Sequence, residues 1–99
     1  MAEPIYKLWM LKPTEAWYQL SDEERASLMA KHAESFEKVG AKLIVRCTSL
    51  WSSEQWALFG VEEFPDIEAV QKHAEALFEA EHFRYLESMS LLGVAWEPS

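Results

Sequence analysis

Basic residues are scarce in this chain: nine Lys and Arg stand against 17 Asp and Glu over 99 residues, a formal charge of −8. That balance argues against a nucleic-acid backbone as partner, which needs cations clustered against phosphates, and against an anionic membrane surface. A lone cysteine, Cys47, excludes an intramolecular disulfide. No run approaches the ~18 consecutive apolar residues of a membrane span. Met1-Ala2-Glu3-Pro4 carries no basic segment leading into an apolar one, so a cytoplasmic location is expected. The three glycines, Gly40, Gly60 and Gly93, are too few and too far apart for a phosphate-cradling loop, a dinucleotide fingerprint or a nucleophile elbow.

What the chain has in excess is aromatic surface. Five Trp (Trp9, Trp17, Trp51, Trp56, Trp96), three Tyr and five Phe sit in a chain whose hydrophobic and charged fractions, 49% and 26%, are otherwise those of an ordinary globular domain. Each such side chain buries roughly 150–250 Å² and needs a core, a pocket or a partner surface. Residues 1–99 read as one domain, with little core to spare.

Ile5–Leu11 is a short aromatic and aliphatic run stopped by Lys12-Pro13, and reads as a first strand. A connection carrying Trp17 and Leu20 leads to Ser21-Asp22-Glu23-Glu24, a capping-box arrangement that starts a helix running to Val39 and ending at Gly40. Ala41–Thr48 and Gln55–Phe64 form a hairpin of two strands around a polar loop. Pro65-Asp66 caps a second helix whose stripe is Ile67, Val70, Ala74, Leu77 and Phe78, running to about Ala80, with His82–Leu86 continuing it or forming a separate turn. Ser90–Trp96 closes the chain as a last strand before Pro98.

The order β-α-β-β-α-β is that of an α+β, ferredoxin-like domain, a four-stranded antiparallel sheet with two helices on one face. A bare second face should alternate polar residues, yet Ile5, Trp9 and Leu11 oppose Tyr6, Leu8 and Met10 in the first strand, and the third and last strands behave likewise. Both faces therefore call for cover, and a homodimer packed sheet to sheet is the expected arrangement.

Two stretches resemble the dimeric α+β barrel superfamily, which includes antibiotic-biosynthesis-type cofactor-independent monooxygenases, muconolactone isomerases, haem-degrading enzymes, darcynin-like and chlorite-dismutase-like proteins, and small polyketide cyclases. One is Lys12-Pro13-Thr14-Glu15-Ala16-Trp17-Tyr18-Gln19-Leu20-Ser21-Asp22-Glu23-Glu24-Arg25, similar to the opening of darcynin-like and several uncharacterised members. The other runs from Phe59 through Asp66 and His73 to His82-Phe83-Arg84-Tyr85-Leu86, similar to the second half of monooxygenase-like members. The resemblance implies a dimeric α+β barrel. It further implies a small enzyme, monooxygenase-, isomerase- or cyclase-like, that needs no cofactor and acts on an aromatic or polyketide-like apolar molecule between helices and sheet. The alternative it leaves is a haem- or small-ligand-binding protein without turnover.

The candidate site rests on three histidines. On a wheel of about 100° per residue, His32 falls about 40° from Leu28, inside the arc of Leu28, Met29, Phe36 and Val39, so its imidazole points at the sheet. It is either a core histidine satisfied by a carbonyl or a tyrosine hydroxyl, or the general base of a cavity. His73 lies about 95° from the centre of its helix stripe, where a half-exposed surface position is expected. In haem-binding relatives a second-helix histidine is the axial ligand, and in cyclase-like relatives a histidine near His82 is the base, although a loop or helix-end position suits His82 equally. Arg25, Trp9, Trp56, Tyr6, Arg46, Phe36 and Tyr85 complete the expected pocket, Arg46 as a group that orients an anionic ligand. Glu79 and His82 form a single Glu-x-x-His pair, too little for a di-iron site, and no metal is expected.

Overall fold

The alternation of bulky apolar side chains between Ile5 and Leu11 makes a strand, and a computed structural model, which describes residues 3–97, extends it through Pro13 as β1 (Ile5–Pro13). The elements that follow are α1 (Glu15–Tyr18), α2 (Asp22–Lys38), β2 (Lys42–Thr48), β3 (Leu58–Phe64), α3 (Ile67–Glu79), α4 (His82–Tyr85) and β4 (Leu86–Gly93). Neighbouring strands are antiparallel in the order β2-β3-β1-β4. This is the ferredoxin-like α+β fold.

Local chemistry sets the helix ends. Ser21 Oγ accepts from Glu24 N at 3.1 Å while Glu24 Oε1 accepts from Ser21 N at 2.9 Å, closing the capping box of α2. At the other end Gly40 takes φ 78°, a left-handed conformation that a Cβ would penalise. Asp66 Oδ1 accepts from Ala69 N at 2.8 Å and starts α3.

Three expectations are corrected, and one left open is decided. The connection after β1 contains a short helix, α1. The third strand begins at Leu58, because Gln55, Trp56 and Ala57 finish the loop, where Ser53 Oγ accepts from the backbone N–H of Gln55 and Trp56. Of the two arrangements open for His82–Leu86, the separate turn is the one found, as α4 over His82–Tyr85. The last strand is Leu86–Gly93 and not Ser90–Trp96: pairing starts where Leu86 meets Pro13, and Val94 and Trp96 lie beyond it, exposed. Pro98 lies outside the described residues.

Register assigns the two sheet faces. Ile5 pairs with the fully buried Phe64, so Ile5, Lys7, Trp9 and Leu11 share the inner face with Leu58, Gly60, Glu62 and Phe64. Phe64, Ala69 and Val70 form the core there, with Ile5, Phe36, Val39 and Ala41 packed around them. The α3 stripe differs from the expected one: Ala69, Val70, His73 and Leu77 are buried, whereas Ile67 and Phe78 are exposed. The outer face carries Leu8, Val45, Phe59, Met89 and Leu91, all exposed. A radius of gyration of 14.3 Å, with a shortest extent of 16 Å, exceeds the about 13 Å of a compact chain of this length, as a two-layer slab with one open face should.

Candidate functional site

The site is built where α2, α3 and α4 meet the inner face of the sheet. Helical spacing brings Leu28, His32, Ser35, Phe36 and Val39 to the inward side of α2. His73 projects from α3 into the same layer, and its Nδ1 lies 2.9 Å from Ser35 Oγ. His82 arrives by a sharper device. After α3 ends, Glu81 adopts φ 58°, a conformation rare for a residue with a Cβ, and the turn it makes starts α4 with His82 against His32 of α2.

The three imidazoles consequently touch. His32 meets His73 edge to face with centroids 5.0 Å apart, and stacks on His82 at 5.4 Å and 27°. Phe36 lies against His32 at 6.2 Å and against His73 at 5.6 Å, and Phe64 closes the far side of His73 at 5.7 Å. His73 is 1% exposed and His82 5%, whereas His32 is half-buried. This corrects the expected surface position of His73; His82 does stand at a helix end, as the first residue of α4, and is buried there.

Burial dominates the electrostatics. Desolvation, with His32, Lys7 and His82 as further positive neighbours, pushes His73 down to about 3. Desolvation, His32 and Lys7 push His82 down to about 4. His32 is lowered in the same way, by burial first and then by Lys7 and Arg46. Glu62, 5% exposed and directly opposite Lys7 in the register, is raised by burial against the pull of Lys7 and Arg46. Among the described residues, three buried polar atoms have no hydrogen-bond partner: Trp9 Nε1, His73 Nε2 and His82 Nδ1. Among the described residues no group of three or more His, Cys, Asp and Glu could hold a metal ion.

A cleft of about 290 Å³ opens between α2 and the sheet, lined by His32, Phe36, Ala41, Leu43, Arg46 and Glu62 among others. It lies near the lower bound of small-molecule pockets, about 300–1,000 Å³. A wider furrow of about 770 Å³ runs between α2 and α3 on their far side. It is walled by lysines and glutamates, and only Ser35, through His73, links it to the histidines. The smaller cleft is the chemically equipped one.

Of the residues expected from sequence, His32, Phe36 and Arg46 meet at the cleft, with His73 and His82 packed behind. Trp9 lies on the inner face with its indole over Gly60. Four others are elsewhere. Arg25 is occupied in pinning α1 to α2, donating to the carbonyls of Trp17 and Tyr18 at 3.2 Å and pairing with Asp22 at 3.6 Å. Tyr6 is on the outer face beside Glu63, whose carboxylate raises its phenol. Trp56 is in the loop before β3, and Tyr85 lies under Arg84, 5.7 Å from its ring. Glu62 was missed as a site residue. Its signal was a carboxylate in period-2 register with Phe64, hence on the face that packs against the helices.

No family model matches this chain, and no curated protein matches it. Solved structures do. A protein of unknown function from Rhodopseudomonas palustris superposes with a TM-score of 0.71 at 20% identity, over 99% of this chain and 86% of that one. A variant of chlorite dismutase from Candidatus Nitrospira defluvii gives 0.77 at 17% identity, over 99% of this chain and 42% of that one. A further variant of that enzyme, solved with cyanide, gives 0.75 at 17% identity, over 97% of this chain and 41% of its own. The likeness is one of fold. This chain spans less than half the length of chlorite dismutase. Among the described residues no helix is long and apolar enough to cross a membrane.

Proposed function

We propose that this protein binds an aromatic or polyketide-like small molecule in the cleft between α2 and the sheet and acts on it with His32 as general base, as a monooxygenase-, isomerase- or cyclase-like enzyme. The observation that carries the reading is His32 itself. It borders the cleft with Phe36, Leu43, Arg46 and Glu62. No hydrogen bond to a described residue occupies its ring nitrogens, and burial keeps the imidazole in the neutral, proton-accepting form at neutral pH. Phe36 and Leu43 supply apolar walls, and Arg46 supplies a cation for an oxygen of the ligand. Titration with 1-naphthol, a neutral aromatic probe, tests it: binding should weaken about 5–10-fold in His32→Ala, the loss of about one buried hydrogen bond. Equal affinity in the two proteins would remove His32 from the site.

The second reading is a haem- or small-ligand-binding protein without turnover, supported by the likeness to chlorite dismutase. His73 and His82 do not fit the axial role in this arrangement, since His73 is enclosed by Phe36 and Phe64, His82 lies flat against His32, and neither lines the cleft. Haemin titration separates the two readings: a Soret shift abolished by His32→Ala would favour haem held from the cleft.

The assembly we infer is a homodimer packed through the outer sheet face. The exposed apolar band of Leu8, Val45, Phe59, Met89 and Leu91 crosses all four strands and supports it.

A further inference from the structure

We propose that Glu62 is a second catalytic residue, a proton donor that borders the same cleft as His32, and that the pair acts on small molecules carrying an enolisable carbonyl. The inference rests on the reading of His32 as base and adds its partner and the substrate class.

Among the described residues Glu62 is the buried carboxyl, and neither a hydrogen bond nor an ion pair within 4 Å holds it. It lies on the inner face, 5% exposed, with Lys7 opposite on β1 and Leu43 opposite on β2. A carboxylate kept there for stability would close on Lys7, because a buried charge is costly unless paired. It does not. The ion pairs among the described residues, Lys12–Glu87, Arg25–Asp22, Lys72–Glu68 and Arg84–Glu81, lie elsewhere, and each contains a side chain more than half exposed. The other carboxylates close by are differently disposed: Glu37 is exposed at the cleft rim, and Glu63 is on the outer face. Glu62 thus presents an untied carboxyl to the same cleft that His32 borders.

The environments of the two groups separate their roles. Burial holds the Glu62 carboxyl above the ordinary carboxylate range, and burial with Lys7 and Arg46 holds His32 below the ordinary imidazole value. The upward shift enlarges the fraction of Glu62 that holds a proton and the downward shift enlarges the fraction of His32 free to take one, so the two environments assign Glu62 as acid and His32 as base.

The step balances with no further reactant. His32 takes the proton on the carbon beside the carbonyl, and the C–H electron pair becomes a C=C bond. The carbonyl π pair moves to oxygen, which takes the proton of Glu62. The products are a neutral enol, imidazolium and carboxylate, with Lys7 facing the new carboxylate. Return of the His32 proton to a conjugated carbon, and of the oxygen proton to Glu62, yields the isomerised carbonyl compound and restores both groups.

Deuterium incorporation into the methylene of phenylacetone in D₂O, followed by NMR with the full chain, tests this. The wild type should accelerate exchange, and Glu62→Gln should slow it by about 10²-fold or more while binding phenylacetone within about threefold of wild type. Wild-type exchange in Glu62→Gln, or a wild type that binds phenylacetone without exchanging it, would overturn the proposal. If Glu62→Gln fails to fold by thermal melting, Glu62→Asp, which withdraws the carboxyl by one methylene, should also slow exchange; no change there would equally overturn it. Failure to bind phenylacetone while 1-naphthol still binds through His32 would overturn the substrate class and leave the proposed binding site standing. Loss of both would remove both readings.

Discussion

Lowering the pH from 7.5 to 4.5 would force protons onto groups that the fold keeps neutral. His73 and His82 are held at about 3 and about 4, against an ordinary value of 6.5. Across that interval the unfolded chain binds protons that the folded chain does not, so stability rises with pH, is fully present above 6.5 and is lost progressively below it. At pH 5.5 each histidine has removed about 1.4 kcal/mol, and by pH 4.5 the pair has removed about 5 kcal/mol. His32, lowered in the same direction, adds to the loss, whereas the raised carboxyl of Glu62 opposes it by taking its proton first in the folded state. A domain of this size is typically held by about 5–15 kcal/mol, so acid unfolding should begin well above the carboxylate range. Urea unfolding followed by tryptophan fluorescence at pH 7.5, 6.5, 5.5 and 4.5 measures it. In His73→Phe, whose ring would sit between Phe36 and Phe64, the slope should fall by about 1.4 kcal/mol per pH unit, the contribution of one proton. Stability that stays flat from pH 7.5 to 5, or the same slope in His73→Phe, would refute the reasoning.

Three further outcomes are expected. Gly60→Ala places a Cβ 2.6 Å from Trp9 Cζ2 and from the Val45 carbonyl oxygen. It should cost about 1–3 kcal/mol and alter the near-ultraviolet circular dichroism of Trp9, and an unchanged spectrum and melting point would contradict that packing. Ser21→Ala removes the capping box of α2 and should cost about 1 kcal/mol in urea unfolding, and an unchanged midpoint would contradict the cap. Leu91→Lys, on the exposed outer face, should convert a dimer to a monomer at micromolar concentration by sedimentation; a wild type that is already monomeric would remove the sheet-to-sheet arrangement.

The fold was legible in the sequence because its cues are local. Ser21 with Glu24, Gly40 and Asp66 fix helix ends by hydrogen bonds and backbone conformation that any neighbouring fold would preserve. The last strand was displaced because Leu86–Ser90 alternates as well as Ser90–Trp96 does, and only pairing with β1 chooses between them. The candidate site was legible where one helix wheel decides it, as for His32. It was not where contacts between elements decide: Ile67 and Phe78 suggest a stripe that leaves His73 at its edge, but packing against Phe64 rotates α3 until His73 is enclosed. His82 depends on the left-handed turn at Glu81, a conformation glutamate rarely adopts and no sequence pattern announces. Arg25 shows the converse, a cation on the expected face that the carbonyls at the end of α1 hold away from the cleft.

The central claim is that the cleft beside His32 receives a small aromatic molecule. Histidine side-chain nitrogen NMR during titration with 1-naphthol tests it most directly, because the three imidazoles have different access to the cleft. The account predicts a saturable shift of the His32 resonances, with smaller shifts at His82 and His73 and cross-peaks from the probe to Phe36 and Leu43. Saturation that moves residues of the outer sheet face or of the furrow between α2 and α3, and leaves His32 where it was, would contradict it.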